Sequence, residues 1–305
     1  MRRLISSTAS EILNMTKDEK LLAIQMSEGR TIMSECTTSG EPDALSNASL
    51  PELYAAFGAD CIMLNVFDVF NPHVTQLNIE DKNETIRVLK KYTGKLVGTN
   101  LEAVPEQIDI PVELNKPVAG RISSEETILR CKELGFDFIC LTGNPNTGVT
   151  NKEIMNQVRL AKKLVGDDIF IVAGKMHAAG SLKEAGTKIV TKEIIKDYQE
   201  AGVDVVIVPT PGTVPGFTLD YSHELVQYAQ SLGLLAMASV GTSQEDADTQ
   251  SMRQFALTAK MMGADLHHLG DAGYAGATPE STMAYSIAMR GKRHTYNRMA
   301  TSPLR

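Results

Sequence analysis

The sequence lacks the markers of several protein classes. No apolar stretch approaches the roughly 20 residues that a membrane-spanning helix requires, and residues 1–7 (MRRLISS) do not form the apolar core of a signal peptide. The four cysteines form no CxxC pair and lie in apolar segments, which is typical of buried thiols in a reducing compartment. We therefore predict a cytoplasmic protein without disulfide bonds and without membrane contacts.

Runs of basic residues are also lacking before the end of the chain. The formal net charge is -7 at pH 7, which argues against a nucleic-acid partner. The final segment contains no acid, and its basic residues are Arg290, Lys292, Arg293, Arg298 and Arg305. We expect this basic tail to be solvated or to pack against a second subunit of a homo-oligomer; contact with an anionic ligand is the alternative.

Short β-rich runs alternate regularly with helical segments along the chain. Residues 9–28 have helical periodicity and end at Gly29, which predicts a leading helix. From Thr31 onward, a β-rich run, a polar loop and a helical segment repeat eight times. The runs are TIMSE (31–35), CIMLN (61–65), KLVGTN (95–100), FICLTG (138–143), IFIVAGK (169–175), VVIVPT (205–210), LLAMAS (234–239) and DLHHLG (265–270). This alternation predicts parallel βαβ units.

A Gly-x-Asp motif introduces every second run. Its copies are Gly58-Ala59-Asp60, Gly135-Phe136-Asp137, Gly202-Val203-Asp204 and Gly263-Ala264-Asp265. A two-unit period of this kind favours a closed ring over an open sheet, so we predict a single (β/α)8 TIM barrel. The whole chain, residues 1–305, is one predicted domain, with a leading helix in 1–29, the barrel in 30–290 and the basic tail in 291–305. The four aspartates lie at the amino-terminal strand ends, where we predict structural roles.

Polar residues cluster where each predicted strand ends. In a barrel of this type the reacting groups lie at the carboxyl ends of the strands and in the loops that follow. The residues at these positions are Glu35, Thr37, Asn65, Asp68, Asn100, Glu102, Thr142, Asn144, Lys175, His177, Thr210, Ser239, Thr242, Ser243, His268 and Asp271. We therefore expect the functional site at this end of the barrel.

Alternation of side chains along a strand selects among these residues. It predicts that Asn100 and Glu102 point into the barrel, and that Ala173, Lys175 and His177 do the same on the fifth strand. It also places Asn65 inside. Aligning the Gly-x-Asp copies turns His268 inward and leaves His267 facing the helices, as a hydrogen-bonded core residue.

Lys175 is predicted to be the most reactive of these side chains. Burial at the top of a barrel strand lowers the pKa of an amine, so that the lysine acts as a base, an electrostatic group or a Schiff-base nucleophile. A structural ion pair, for example with Glu102, is the alternative. The predicted catalytic residues are Lys175, Glu35, Glu102, His177 and His268.

A divalent metal is a second hypothesis for the same residues. Glu35, Asp68 and Glu102, alone or with His177 or His268, have the oxygen and nitrogen donors that magnesium, manganese or zinc prefer. The chain has no HxH or HExxH spacing and no nucleotide-cofactor motif. The sequence therefore leaves the cofactor open.

Glycine-rich loops predict a site for a small anion. Residues 264–276 begin as an apolar run, continue through Gly270, Gly273 and Gly276, and lead to the start of a predicted helix. Residues 241–243 form the loop after the seventh predicted strand. Barrels commonly bind phosphate in these last two loops. The loops at 142–150 and 209–216 combine Gly, Pro and Thr, as expected for a substrate clamp. The predicted substrate-binding residues are Asn65, Asn100, Thr142, Asn144, Thr210, Ser239, Gly241, Thr242, Ser243, Gly270, Asp271, Gly273 and Gly276.

Seven segments resemble an uncharacterised bacterial family of barrel proteins that automated naming describes as phosphoenolpyruvate phosphonomutase-like or haloacid dehalogenase-like hydrolase. The segments are MSECTT (33–38), LNVFDVFNP (64–72), LTGNPNTGVT (141–150), AGKMHAAG (173–180), PTPGTVPG (209–216), HHLGDAGYAG (267–276) and RGKRHTYNRMATSPLR (290–305). A haloacid dehalogenase needs a DxDx(T/V) motif, which this chain lacks, so we reject that activity. Residues 271–275 (DAGYA) are similar to the metal-binding Asp-x-Gly-Tyr-Gly segment of the phosphonomutase and isocitrate lyase superfamily, although that segment follows the third strand there and the eighth here. The superfamily's Lys-x-Cys-Gly-His motif is missing.

These observations predict an enzyme that acts on a small anionic, phosphorylated carbonyl metabolite by aldolase-like lyase or isomerase chemistry. In this hypothesis the two last loops hold the anion, Lys175 activates the carbonyl, and Glu35 or Glu102 moves the proton. The alternatives are a metal-dependent C–C or P–C bond lyase of the phosphonomutase type and a barrel that binds a metabolite without turnover.

Overall fold

The computed structural model describes residues 2–39, 46–105, 117–144, 146–179, 182–241, 244–271 and 276–305. Eight parallel strands pair in chain order and close into a barrel, because the last strand pairs with the first. The strands are β1 (Thr31–Thr37), β2 (Cys61–Asn65), β3 (Leu96–Glu102), β4 (Phe138–Thr142), β5 (Phe170–Ala173), β6 (Val205–Pro209), β7 (Leu235–Val240) and β8 (Leu266–Leu269). The predicted TIM-barrel fold is confirmed.

Helices surround the strands and cover the amino-terminal end of the barrel. They are α1 (Ala9–Leu13), α2 (Lys17–Gln25), α3 (Leu50–Ala56), α4 (Thr85–Thr93), α5 (Glu125–Leu134), α6 (Asn151–Val165), α7 (Lys192–Ala201), α8 (Leu219–Ser231), α9 (Thr249–Met262) and α10 (Pro279–Ala300). The predicted leading helix is two helices, because Thr16 and Glu19 form a capping box that begins α2 anew. Among the described residues, no helix is long and apolar enough to cross a membrane.

Two apolar layers hold the barrel together. Inside it, Met33, Met63 and the stacked rings of Phe138 and Phe170 form an inner core, which also takes up Ile24 from α2. The outward sides of the strands pack against the helices in a larger outer core. Helix α2 therefore closes the amino-terminal end of the barrel, and the opposite end is left for the site.

The Gly-x-Asp aspartates bind neighbouring strands at the closed end, as predicted. Each carboxylate accepts the backbone N–H of one residue of the preceding strand, namely Ile32 for Asp60, Val97 for Asp137, Ile171 for Asp204 and Ala236 for Asp265. Three of them also pair with cations, which are Arg290 and Arg298 for Asp60, Lys20 and Lys90 for Asp137, and Lys17 for Asp204. These carboxylates are structural.

Two residues of the basic C-terminal segment lie in this closed end and not in solvent. Arg290 and Arg298 are 6% and 2% exposed, and both guanidinium groups bind Asp60. For these two arginines the expectation of a solvated or subunit-packing tail is wrong. They fasten α10 to the start of β2, some 230 residues earlier in the chain.

The predicted orientation of the fifth strand is also wrong. Phe170 and Val172 belong to the inner core, whereas Ile171 and Ala173 pack with the helices. On β2 and β3 the predicted orientations are confirmed, because Ile62, Leu64, Val97 and Leu101 all lie in the outer core.

Candidate active site

A small cavity lies at the carboxyl ends of the strands. It has a volume of about 120 Å³. Its described lining residues are Glu35, Asn100, Thr142, Gly143, Asn144, Met176, His177, Gly241, Glu245, Gly270 and Asp271. Many of them belong to the predicted set, and they come from six different strands or the loops that follow them. The cavity therefore lies at the end of the barrel where the sequence predicts the functional site.

Glu35 and His268 face each other beside this cavity. Both are buried, and Nε2 of His268 lies 3.1 Å from Oε2 of Glu35. The contact lacks hydrogen-bond geometry, and neither ring nitrogen of His268 has a hydrogen-bond partner among the described residues. A buried polar group without a partner costs free energy. These nitrogens are therefore available to a ligand.

The pKa values of this pair favour two neutral groups at pH 7. Burial raises the pKa of Glu35 to about 8, and the negative charge of Glu245 adds to the effect. Burial lowers the pKa of His268 to about 4, although Asp271 and Glu245 oppose this. Glu35 is thus mainly protonated and His268 uncharged near neutral pH, so the contact is not an ion pair under these conditions.

Asp271 is a second carboxyl group that titrates near neutral pH. Burial and the nearby Glu35 together raise its pKa to about 7, against the opposing effect of the hydrogen bond from Asn65. That hydrogen bond joins Nδ2 of Asn65 to Oδ2 of Asp271 over 2.8 Å. Glu35 and Asp271 therefore form a pair of buried acids whose protons are held loosely enough to exchange at pH 7.

An amide network fixes the position of Asp271. Nδ2 of Asn100 donates to Oδ1 of Asn65 over 2.7 Å, and Nδ2 of Asn144 donates to the same oxygen and to Glu102. Glu102 in turn binds Arg121 at 2.7 Å. Glu102 is thus paired with a cation and itself positions the amide of Asn144, and its predicted role in proton transfer stays a prediction.

Lys175 is not among the residues that line the cavity. It is 1% exposed, and its Nζ donates to Glu184, whose carboxylate also accepts the backbone N–H of Asn151 at the start of α6. Burial lowers the pKa of Lys175, and Glu184 opposes the shift. Lys175 lies beyond the end of β5, and its partner Glu184 contacts the start of α6. Lys175 therefore forms a structural ion pair, with Glu184 and not Glu102 as the partner, and this arrangement gives no support to the predicted catalytic role.

His177 and His267 are both held by hydrogen bonds within the protein. His177 lines the cavity, and its Nδ1 accepts the backbone N–H of Ala179 over 3.0 Å. Burial lowers the pKa of His177, and the charge of Lys175 contributes. His267 is bound by the carbonyl of Gly29 and the hydroxyl of Tyr285, which confirms the predicted core histidine.

The three predicted metal ligands do not come together. Asp68 accepts the backbone N–H groups of Phe70 and Asn71, and Glu102 binds Arg121. Only Glu35 of the three lines the cavity. Within the described parts of the chain, no group of three or more His, Cys, Asp or Glu residues has a metal-binding arrangement. The predicted metal set does not fit.

The remaining predicted binding residues divide into three groups. Thr142, Gly241 and Gly270 line the cavity. Thr210 and Ser239 are buried and joined through their backbones, outside the lining, and Gly276 forms a backbone bridge with Cys36. Thr242, Ser243 and Gly273 lie outside the described residues. The predicted anion loop is thus described only at Gly241, Gly270, Asp271 and Gly276.

The predicted site residues lack three residues of the described lining, Gly143, Met176 and Glu245. Gly143 lies within the loop at 142–150 that is predicted to be a substrate clamp. Glu245 is 4% exposed and follows the loop after β7, five residues beyond the end of the strand. Its position in that loop is the available signal, since loops after strands supply the site in this fold. Met176 is missed because it lies beyond the end of β5, where strand alternation no longer applies, and it lines the cavity together with its neighbour His177.

We expect Lys175→Met to reduce stability and leave the chemistry of the cavity intact. The substitution removes the cation that neutralises Glu184, so the cost should be about 1–3 kcal/mol. Urea denaturation measures it. Borohydride should trap no adduct of the wild-type protein with a carbonyl compound; a trapped adduct that disappears in the variant would contradict this assignment.

The fold and the cavity define a (β/α)8-barrel protein with buried acids at the carboxyl ends of its strands. The chain belongs to the family described as Domain of unknown function (DUF7916), whose model matches residues 5–305. No curated protein matches the sequence.

Solved structures with a similar chain path have diverse activities. One is 2,3-dimethylmalate lyase, a PEP mutase/isocitrate lyase superfamily member, with 10% identity, a TM-score of 0.49 and coverage of 84% of this chain and 81% of the other. Another is thiamine phosphate pyrophosphorylase from Pyrococcus furiosus, with 12% identity, a TM-score of 0.45 and coverage of 90% and 98%. A mandelate oxidase mutant with an FMN adduct has 15% identity, a TM-score of 0.42 and coverage of 89% and 71%. All three are named as enzymes, and at these scores none assigns a reaction to this chain.

Proposed function

We propose that this protein is an enzyme that moves protons at the carbon next to the carbonyl group of a small metabolite, as a lyase or an isomerase. The observation that carries the proposal is the contact of Glu35 with His268 beside Asp271, in a small cavity at the end of the barrel where TIM-barrel enzymes react. Paired acids with pKa values near neutrality suit general acid–base catalysis.

Each acid has a distinct part in this mechanism. Asp271, with a pKa of about 7, is partly ionised at neutral pH and removes a proton from the substrate carbon. Glu35, with a pKa of about 8, is mainly protonated and donates its proton to the carbonyl oxygen. The product of the two transfers is an enol. In an isomerase, Asp271 returns the proton to a different carbon of the substrate. In a lyase, the enol hydroxyl returns its proton to Glu35 while the bond to a leaving group on the adjacent carbon breaks, and the leaving group departs with the electron pair. His268, uncharged near neutral pH, lies 3.1 Å from Glu35 and does not carry the proton of that acid.

The charges of the residues that line the cavity do not support the prediction of an anionic substrate. Three of its described lining residues are acids, Glu35, Glu245 and Asp271, and none of the described ones is lysine or arginine. The segments at 242–243 and 272–275, outside the described residues, also contain no Lys or Arg. A phosphoryl group would meet like charge. We therefore propose the acid–base chemistry without the phosphate.

Hydrogen–deuterium exchange tests the proposal even while the substrate is unidentified. A panel of small aldehydes, ketones and 2-oxo acids, with and without an amino group, is incubated with the protein in D2O and followed by proton NMR. We expect one class of compound to lose its signal next to the carbonyl with the wild type and with Lys175→Met, and to keep it with Asp271→Asn. Binding without exchange or consumption of any compound would contradict the proposal and favour a metabolite-binding barrel.

A further inference from the structure

His177 brings a hydrogen-bond donor to the cavity that the proposed mechanism does not use. The residue lines the cavity, and its Nδ1 accepts the backbone N–H of Ala179 over 3.0 Å. A ring nitrogen that accepts a hydrogen bond carries no proton, so the neutral imidazole has its proton on Nε2. Burial, together with the charge of Lys175, lowers the pKa of His177 below its ordinary value. Near neutral pH the ring is therefore uncharged, with a single N–H group at Nε2.

This N–H group and a neighbouring hydroxyl have no protein partner in the described part of the chain. The hydrogen bond of the His177 side chain is made at Nδ1, which leaves Nε2 without an acceptor there. Thr142, at the end of β4, the strand that pairs with β5, lines the same cavity. Its Oγ1 is buried and likewise has no partner. Because buried polar groups are as a rule hydrogen-bonded, this side of the cavity has a donor and a hydroxyl for a ligand.

His177 and Thr142 lie across the barrel from the proposed acid and base. The strands pair in chain order, so β5, which precedes His177, is four strands from β1 in either direction. Glu35 belongs to β1, and Asp271 follows β8, which pairs with β1. The reacting carbonyl group is therefore held at one side of the cavity, and His177 and Thr142 contact the part of the substrate at the other side.

The segment that carries His177 is fixed on two sides by contacts within the protein. The carbonyl oxygen of Ala179 accepts the backbone N–H of Gly148, in the loop after β4, over 3.0 Å. Met176 packs against the loop after β7, because a methyl group added to Gly241 would lie 3.3 Å from Cβ of Met176. The imidazole is therefore positioned before a ligand binds, as a specific binding group requires.

We propose that His177 binds a hydroxyl group of the substrate through its Nε2–H, and that Oγ1 of Thr142 is the second partner of this hydroxyl. The inference rests on the proposed function in that it takes the same cavity as the active site, and it narrows the substrate to a small hydroxy-substituted carbonyl compound. A hydroxyl group has one donor and two acceptor lone pairs, so it accepts from an imidazole N–H and donates to a threonine oxygen. A carboxylate in its place would add negative charge to a lining that contains three acids.

NMR of the imidazole nitrogens tests the donor without any substrate. In ¹⁵N-labelled protein, a long-range ¹H–¹⁵N spectrum distinguishes the two neutral tautomers from each other and from the imidazolium ion. The signals of His177 are those missing from His177→Gln. We expect the Nε2–H tautomer at pH 7. An Nδ1–H tautomer or an imidazolium ion at this pH would overturn the proposal.

Pairs of ketones that differ by one hydroxyl group test the ligand. Hydroxyacetone is compared with acetone, and 4-hydroxybutan-2-one with butan-2-one, by titration against the methyl NMR signal of Met176, which lines the cavity. We expect at least one hydroxy ketone to bind about tenfold more tightly than its parent ketone. His177→Phe should remove this preference and Thr142→Val should weaken it. His177→Gln, whose side-chain amide keeps a donor, should retain most of it.

A control variant and the exchange assay separate this inference from the proposed function. His223→Phe removes an imidazole outside the cavity, where Nδ1 of His223 contacts the carbonyl of Met262, and should show the wild-type preference. Equal affinities within both ketone pairs, or a preference that survives in His177→Phe, would overturn the inference and leave the proposed function to the exchange assay. A hydroxyl preference that depends on His177, without proton exchange in any compound, would refute the proposed function alone.

Discussion

Replacing Asp60 with asparagine is expected to destabilise the barrel by about 3–5 kcal/mol. The carboxylate is fully buried and binds Arg290, Arg298 and the backbone N–H of Ile32. Asparagine keeps the shape and removes the charge, which leaves two buried guanidinium groups without their counter-ion. Urea denaturation at pH 7 measures the free energy of unfolding of the variant and of the wild type.

The fourth Gly-x-Asp copy provides the matched control. Asp265 accepts the backbone N–H of Ala236 in the same way, but its side-chain partner is Gln230, which is uncharged. Asp265→Asn should therefore cost only about 1 kcal/mol. Equal losses for the two substitutions would show that the arginines do not stabilise the closed end of the barrel.

Lowering the pH should weaken the same ion pairs in the wild-type protein and reduce its stability. Burial by itself would raise the pKa of Asp60, but Arg290 and Arg298 outweigh it and hold the pKa below its ordinary value. The stabilisation is therefore present above the pKa of the unfolded chain and is lost as the pH falls through the lower pKa of the folded state. Asp60→Asn should remove this part of the acid sensitivity.

Replacing Glu35 with glutamine is expected to lower the rate of proton exchange by about 10²–10⁴-fold. Glutamine has nearly the same shape and still fits beside His268, but it carries no exchangeable acid proton. The measurement is the D2O exchange assay with a substrate found in the panel. Lys175→Met, which lies outside the cavity, provides the comparison, and a rate in Glu35→Gln equal to that of Lys175→Met would contradict the assignment.

Stability should change in the opposite direction to activity in this variant. Because the folded state holds the proton of Glu35 up to a pKa of about 8, against 4.5 for the free group, the unfolded chain loses it first. Stability therefore falls as the pH rises between these two values, and Glu35→Gln removes this fall. A variant that is more stable above pH 8 yet inactive would identify Glu35 as a functional group that costs stability.

The barrel itself is predictable because its signals are local and repeated. Alternating strands and helices, and the Gly-x-Asp copies, give the fold, and on β3 the apolar Val97 and Leu101 indicate which side meets the helices. On β5 both sides are apolar, with Phe170 and Val172 on one and Ile171 and Ala173 on the other. Hydrophobicity therefore does not select the inward side of this strand, and the predicted inward position of Ala173 is wrong.

The sequence predicts where the cavity lies, but only some of the residues that line it. Glu35 and Asn100 lie in the carboxyl-terminal parts of their strands, and His177 and Asp271 lie just beyond theirs. All four line the cavity, as expected. The separation of Glu102 from the cavity depends on Arg121, and the burial of Arg290 depends on Asp60. Such pairings join distant parts of the chain and leave no periodic pattern in the sequence.

The ionisation of Glu35 is the most direct test of the account. In protein labelled with ¹³C at the glutamate side-chain carboxyls, a pH titration by NMR, compared with Glu35→Gln, isolates the signal of this residue. We predict one glutamate carboxyl that titrates with a pKa of about 8 and is missing from the variant. Titration of every glutamate below a pKa of about 5, as for ordinary exposed groups, would contradict the account.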